Sequence, residues 1–148
     1  MTSIRTLAAT FAVGAALSLT VASAANAADE AGDALAAAVT KGASLFAHET
    51  FGGNGKTCET CHVGGGKAPG MLPNGHALPS LVNAAAIFPR FSRGAGKVVT
   101  LDGQIRQCIH GGLGATPPES GSPEIVALAA YLGSIAHGQT IDIGGAPK

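Results

Sequence analysis

The sequence carries little charge and no block of like charge. Its 148 residues include nine Lys and Arg against nine Asp and Glu, so charged side chains make up 12% of the chain and the formal net charge is zero. A protein that binds nucleic acid needs a basic face or stripe. The lack of such a stripe in the sequence argues against nucleic acid as a partner.

Long hydrophobic runs are also missing. The apolar run Leu7–Val21 has 15 residues without a charge, short of the ~20 that span a bilayer as a helix. Arg5 precedes the run and Ala25-Asn26-Ala27 follows it, the arrangement of a secretory signal with its cleavage site. We predict a signal peptide at residues 1–27 and a mature domain at 28–148 without stable membrane insertion. An uncleaved N-terminal anchor is the alternative.

Bulky aromatic side chains are scarce. There is no Trp and one Tyr, whereas Gly accounts for 22 residues. Many of the glycines fall between Gly52 and Gly75, which predicts a loop there. The length of the mature chain suits one small domain. A single core is therefore expected, with few large side chains to fill it.

Only three cysteines are present, and two of them stand in one motif. The segment Cys58-Glu59-Thr60-Cys61-His62 has the C-x-x-C-H pattern that attaches a c-type haem. Two thiols one helical turn apart can each add to a vinyl group of one porphyrin, and His62 then lies beneath the ring, within reach of the iron. A thioredoxin-like pair would need a βαβ setting and a zinc site a second ligand pair, and neither is visible in the sequence. The motif predicts one covalent haem c held by Cys58 and Cys61 and ligated by His62.

Helical patterns predict an all-α domain. Leu35, Val39 and Phe46 recur at helical spacing in an alanine-rich segment. Ser122 and Pro123 form an N-cap and a first-turn proline. The predicted helices are Ala31–Ala47, Leu81–Ile87, Thr100–Ile109 closed by Gly111-Gly112, and Ile125–Ala136 stopped by Gly138. A haem can replace part of the side-chain core of such a chain.

These placements resemble the class I cytochrome c family. In that family a glycine and a phenylalanine of the first helix cross an aromatic residue and leucines of the last helix. Gly42 and Phe46 occupy the first helix here, and Tyr131, Leu128 and Leu132 occupy the last. The resemblance implies that the N- and C-terminal helices cross and that a loop-rich middle wraps the haem.

The second axial position on the iron remains open on the residues alone. A lone thiol in an oxidising compartment tends to be buried, paired with another chain or bound to a metal. Cys108 is such a thiol, 46 residues after His62 and on a predicted helix. The competing ligands are Met71, His76, His110, His48 and His137.

A more specific resemblance supports Cys108. The segment Gln104–Cys108, followed by Ser122-Pro123-Glu124, is similar to thiosulfate dehydrogenases and to the haem-bearing catalytic subunit of the Sox sulfur-oxidation system. In those proteins a cysteine at this distance from the haem motif is the distal ligand, which implies that role for Cys108. Two departures weaken the transfer of activity. Those enzymes have an arginine where this chain has Gln104, and they commonly carry a second haem domain, whereas this chain has one C-x-x-C-H.

Weaker expectations concern the surroundings of the haem. Pro79 resembles the proline whose carbonyl accepts the Nδ1 hydrogen of the haem histidine in class I cytochromes, with Pro73 as a competitor. Phe88 and Phe91 are expected to pack on the porphyrin or to anchor loops.

The sequence therefore predicts a periplasmic monohaem cytochrome that exchanges electrons with redox partner proteins. A thiolate ligand such as Cys108 would stabilise ferric iron and lower the reduction potential relative to a thioether. The alternative function is a sulfur-compound oxidoreductase, or a subunit of one, in which Cys108 takes part in chemistry on thiosulfate or a related small anion.

Overall fold

The computed structural model describes residues 18–72 and 74–148, with side chains from residue 27 onward. Arg5, most of the predicted signal peptide and Pro73 lie outside the described residues. Two units are distinguished, one ending at Asp33 and one spanning Ala34–Lys148. Within the described part of the chain, no helix combines the length and the apolar character needed to cross a membrane.

Helices form most of the regular structure. The described helices are α1 (Ser18–His48), α2 (Cys58–Cys61), α3 (Ala84–Ile87), α4 (Leu101–Leu113) and α5 (Pro123–Ile135). The described strands are β1 (Gly70–Met71), β2 (Ala77–Leu78), β3 (Arg90–Ser92) and β4 (Lys97–Val99). The strands pair as two antiparallel hairpins, β1 with β2 and β3 with β4.

The predicted all-α class is thus broadly confirmed, with two small sheets that the sequence did not indicate. Each hairpin lies in a connection between helices and turns near a glycine with positive φ, Gly75 at 82° and Gly96 at 63°. Glycine adopts this conformation without a steric penalty. Strands of two or three residues carry too little alternation to be predicted from a pattern.

The ends of α4 and α5 follow from local chemistry. Thr100 Oγ1 accepts a hydrogen bond from Gly103 N at 3.1 Å, and Ser122 Oγ accepts one from Ile125 N at 3.4 Å. The N-cap at Ser122 is the predicted one, and Thr100, predicted as the first helical residue, is the N-cap of α4. The predicted stop of α4 at Gly111-Gly112 is wrong, because the helix continues to Leu113 and ends on Gly114, whose φ is 64°. A left-handed glycine directly after a helix is a common C-terminal cap.

The first helix begins earlier than predicted. The helix is already formed at Ser18, the first residue that the structure describes, and runs through the predicted start at Ala31, in a segment rich in alanine, the residue with the highest helix propensity. Leu35, which recurs with Phe46 at helical spacing, is 60% exposed, whereas Phe46 is 3% exposed. Within the unit Ala34–Lys148, the packing of α1 is therefore concentrated in its last turns.

The core lies where α1, α4 and α5 meet. Its least exposed large side chains include Ile109, Ile125 and Leu128. Phe46 and Tyr131 contribute the aromatic contact, with ring centroids 5.3 Å apart and planes tilted by 55°. Offset and tilted aromatic pairs stabilise beyond the area they bury.

Gly42 permits the close crossing of α1 and α5. A Cβ atom at this position would overlap the backbone carbonyl of Ala127 and lie 2.8 Å from Tyr131 Cβ. The predicted crossing of the N- and C-terminal helices at Gly42 and Tyr131 is therefore confirmed, and the missing side chain is what allows it.

Replacing Gly42 with alanine is expected to lower the free energy of unfolding of the haem-loaded protein by ~2–3 kcal/mol, since the helices must separate to admit a methyl group. Gly133→Ala is the matched control, because Gly133 lies within α5 and a Cβ there meets no atom within 4 Å. The control should stabilise the protein by up to ~1 kcal/mol through helix propensity. Equal effects of the two substitutions in denaturant titrations would contradict the close crossing.

The last ten residues are held to the domain although their sequence has no periodic pattern. Asn83, one of two buried polar residues described, donates from Nδ2 to Ala146 O at 2.9 Å and accepts from Lys148 N at 3.2 Å. The other, Ser80, donates to Lys148 O at 3.2 Å. The tail therefore satisfies the buried polar groups beside α3.

Candidate haem site

The C-x-x-C-H motif forms one short helix and the residue that ends it. Thr57 precedes α2 and its backbone N donates to Thr60 Oγ1 at 3.0 Å. His62 follows α2, with its backbone N donating to Cys58 O at 3.0 Å. Cys58, Cys61 and His62 are thereby brought to one turn of backbone, the local arrangement that the spacing predicted.

The loop after the motif is held on both sides. Gly65 N donates to Glu59 Oε1 at 3.1 Å, and Tyr131 Oη donates to Gly65 O at 2.8 Å. The Tyr131 ring thus packs on Phe46 while its hydroxyl secures the haem-motif loop. The sequence suggested the packing role of Tyr131 and gave no sign of the polar one.

A cavity of about 70 Å³ opens beside the motif. Its walls come from α1, α2, α4, α5 and the segment around α3, and they are almost entirely apolar. The described lining residues are Phe46, Cys58, His62, Leu81, Ala84, Phe88, Leu101, Gln104, Ile105, Cys108, Leu128 and Leu132. Phe88, which the sequence analysis expects to pack on the porphyrin or to anchor a loop, is one of these lining residues.

His62 has the properties of a metal ligand. Burial lowers the pKa of its imidazole, which favours the neutral form that binds metals. Its Nδ1 is buried and has no hydrogen-bond partner among the described residues. The expected bond from Nδ1 to the carbonyl of Pro79 is therefore not made in this structure.

Cys108 lines the same cavity as His62 and Cys58. Its side chain is accessible because it borders this open space, yet protein surrounds it on the other sides. Burial raises the pKa of the Cys108 thiol, a hydrogen bond from Gln104 opposes that rise, and the charge of Cys61 adds to it. Burial raises the pKa of Cys58 to about 12, with a further contribution from the charge of Cys108. The thiols are thus close enough to influence one another.

The other candidate ligands lie elsewhere. Met71 is 63% exposed on β1. The side chains of His48, His76, His110 and His137 are exposed, and none of them lines the cavity. His110 faces a different groove, with Lys97 and Arg106. Among the candidates raised by the sequence, Cys108 is the one that the fold places with His62.

Phe91 does not reach the cavity. It is 56% exposed and borders a polar cleft together with Arg90, Arg93 and Gln104. The expectation that Phe91 packs on the porphyrin is wrong for this arrangement, since β3 directs it toward the outside.

These features fit a covalently attached haem. Cys58 supplies a thiol at the cavity wall, Cys61 follows one turn later, and His62 supplies a neutral imidazole. The apolar lining suits a porphyrin, and the Cys108 thiol lines the same cavity as His62.

Residues 41–141 match the protein family described as SoxA/TsdA, cytochrome c domain. The match covers more than half of the chain. The chain belongs to this family. A SoxA/TsdA cytochrome c domain implies haem c, and the Cys58 and Cys61 pair is consistent with its covalent attachment.

Two curated relatives of this SoxA/TsdA domain carry the same family names. The L-cysteine S-thiosulfotransferase subunit SoxA of Rhodovulum sulfidophilum is 26% identical over 92 residues, which cover 62% of this chain and 28% of that protein. The thiosulfate dehydrogenase of Allochromatium vinosum is 30% identical over 88 residues, covering 60% of this chain and 32% of that protein. The chain thus spans about a third of the length of these relatives. The resemblance drawn from the sequence is confirmed.

A solved structure agrees on the fold. Thiosulfate dehydrogenase (TsdBA) from Marichromatium purpuratum, in its as-isolated form, superimposes with a TM-score of 0.63 at 23% identity. The superposition covers 77% of this chain and 27% of that chain. The SoxA/TsdA domain described here therefore has a cytochrome c fold.

Proposed function

We propose that this SoxA/TsdA domain binds one haem c through thioether bonds from Cys58 and Cys61, with His62 and Cys108 as the axial ligands. The observation that carries the proposal is that His62 and Cys108 line one apolar cavity although 46 residues separate them. Met71 and the remaining histidines lie outside that cavity.

The protein supplies the environment and the haem supplies one-electron redox chemistry. Apolar side chains such as Phe46, Leu128 and Leu132 exclude water from the cavity. A low-polarity surrounding and the choice of axial ligand are the main means by which a protein sets a haem potential. Anionic sulfur from Cys108 favours the ferric state, so a low reduction potential is expected.

The function that this site supports best is electron transfer between redox partner proteins outside the cytoplasm. The predicted signal peptide at residues 1–27 supports a periplasmic location. The small size of the domain and the absence of an evident catalytic base beside Cys108 among the described cavity residues favour a carrier.

Electron paramagnetic resonance of the purified ferric protein tests the ligand assignment. A low-spin signal typical of histidine and thiolate ligation is expected, because Cys108 and His62 share the cavity. A signal typical of His/Met or His/His ligation would contradict it. Haem stoichiometry from the pyridine haemochrome assay and the mass of the intact protein should give one covalent haem per chain.

A second candidate function is oxidation of a sulfur compound, with Cys108 as a participant. It is favoured by the names of the relatives, a thiosulfate dehydrogenase and a thiosulfotransferase subunit. Turnover of thiosulfate with an electron acceptor by the haem-loaded protein, lost in Cys108→Ala and kept in His110→Ala, would establish this function. His110 is a suitable control because it lies on the same helix and outside the cavity.

A further inference from the structure

Gln104 contacts the sulfur of Cys108 directly. Its side-chain Nε2 donates to Cys108 Sγ at 3.5 Å, within the range of hydrogen bonds to sulfur. The two residues are four apart on α4 and therefore lie on the same face of the helix. α4 has 13 residues and is capped by Thr100 at its start. Gln104 and Cys108 both lie within this regular helix, so the four-residue spacing brings their side chains together.

Gln104 also stands between two different environments. It lines the apolar cavity with Cys108 and His62, and it borders the polar cleft formed with Arg90 and Arg93. Gln104 is therefore in contact with both the haem cavity and the polar cleft. Apart from Cys58, His62 and Cys108, Gln104 is the one polar residue among the described cavity-lining residues. Its amide donor points at the Cys108 sulfur.

The chemistry of such a contact has a definite sign. A donor that binds a thiolate withdraws electron density from the sulfur, so the sulfur donates less to ferric iron. Hydrogen bonds to ligand sulfurs are among the factors that set reduction potentials, and groups that touch a ligand tune the metal; a bond that takes electron density from the sulfur raises the potential.

We propose that Gln104 is a positioning residue that holds the Cys108 sulfur and raises the reduction potential of the haem by donating a hydrogen bond to it. The proposal rests on the ligation of iron by Cys108 in the proposed function. It adds that the neutral amide of Gln104, one helical turn before Cys108, reduces the electron donation from the Cys108 sulfur to the iron.

The test uses the haem-loaded protein with Gln104→Leu and Gln104→Arg. Leucine removes the donor and cannot itself bind iron, whereas arginine keeps a donor and adds positive charge. Spectroelectrochemical titration should place the potentials in the order arginine variant, wild type, leucine variant, from high to low. We expect Gln104→Leu to reduce the equilibrium constant for reduction by about tenfold, equivalent to ~59 mV for one electron.

Gln107 provides the matched control. It lies one turn closer to the end of α4, is exposed, and faces the groove with Lys97 and His110 rather than the haem cavity. Gln107→Leu and Gln107→Arg repeat the same changes of size and charge without a contact to Cys108. They should shift the equilibrium constant by less than about twofold.

The outcomes separate this inference from the proposed function. If the wild-type protein shows histidine and thiolate ligation by electron paramagnetic resonance while Gln104→Leu leaves the potential unchanged, the role of Gln104 is refuted and the ligation stands. If the wild-type signal lacks thiolate ligation, both fail. Shifts of the same size in the Gln107 variants would also refute the inference, because the effect would then be general to α4.

Discussion

Replacing Cys108 with methionine is expected to raise the reduction potential of the haem-loaded protein while leaving the haem attached. Attachment runs through Cys58 and Cys61 on α2, which the substitution does not touch. A neutral thioether in place of an anionic sulfur removes the preference for ferric iron. The shift should be a substantial fraction of the ~0.8 V over which axial ligands set haem potentials, measured by redox titration of the visible spectrum.

The alanine variant gives an independent view of the same position. Cys108→Ala should open the iron to water or an added ligand, which gives a high-spin ferric spectrum that imidazole converts to low-spin. His110→Ala, on the exposed side of the same helix, should behave as wild type. If both Cys108 variants kept the wild-type spectrum and potential, another residue would hold the iron.

The double substitution of Cys58 and Cys61 by alanine is expected to abolish covalent haem and, with it, a stable fold. The cavity is walled by core side chains including Phe46, Ile105 and Leu128. Loss of the haem would leave these apolar side chains facing water, at ~25 cal/mol for each Å² of apolar surface, against a total stability of ~5–15 kcal/mol for a typical domain. Circular dichroism and thermal unfolding of the double variant measure the loss.

Cys108→Ala is the control for this experiment, because it removes one thiol from the same cavity and keeps both attachment points. It should retain covalent haem by mass and a cooperative thermal transition. A double variant of Cys58 and Cys61 that was haem-free, well folded and sharply unfolding would mean that the core does not depend on the cofactor.

Local features of the site followed from the sequence because neighbouring residues produce them. The C-x-x-C-H motif and the N-cap at Ser122 depend on a few adjacent positions. Each has a physical signature at short range, namely one helical turn or a side-chain oxygen before a helix. The crossing at Gly42 joins distant helices and was predicted from the resemblance to class I cytochromes c. The error at Gly111-Gly112 is also local, since the next glycine with a left-handed backbone, Gly114, ends the helix.

Contacts between distant segments could not be read in this way. The tail reaches Asn83 through backbone groups that carry no sequence pattern. Tyr131 reaches Gly65 with its hydroxyl, and the hairpin β3–β4 turns Phe91 away from the cavity. These arrangements depend on which surfaces remain to be covered once the helices have packed.

The haem-attachment motif, the helical patterns near both ends and the third cysteine are visible in the residues alone. Which candidate ligand shares a cavity with His62 depends on how the helices pack, and that ligand is Cys108. The reason is geometric. Packing of α4 against α5 turns one face of α4 inward, so Gln104 and Cys108, four residues apart, both meet the cavity, while His110 two residues later points into another groove.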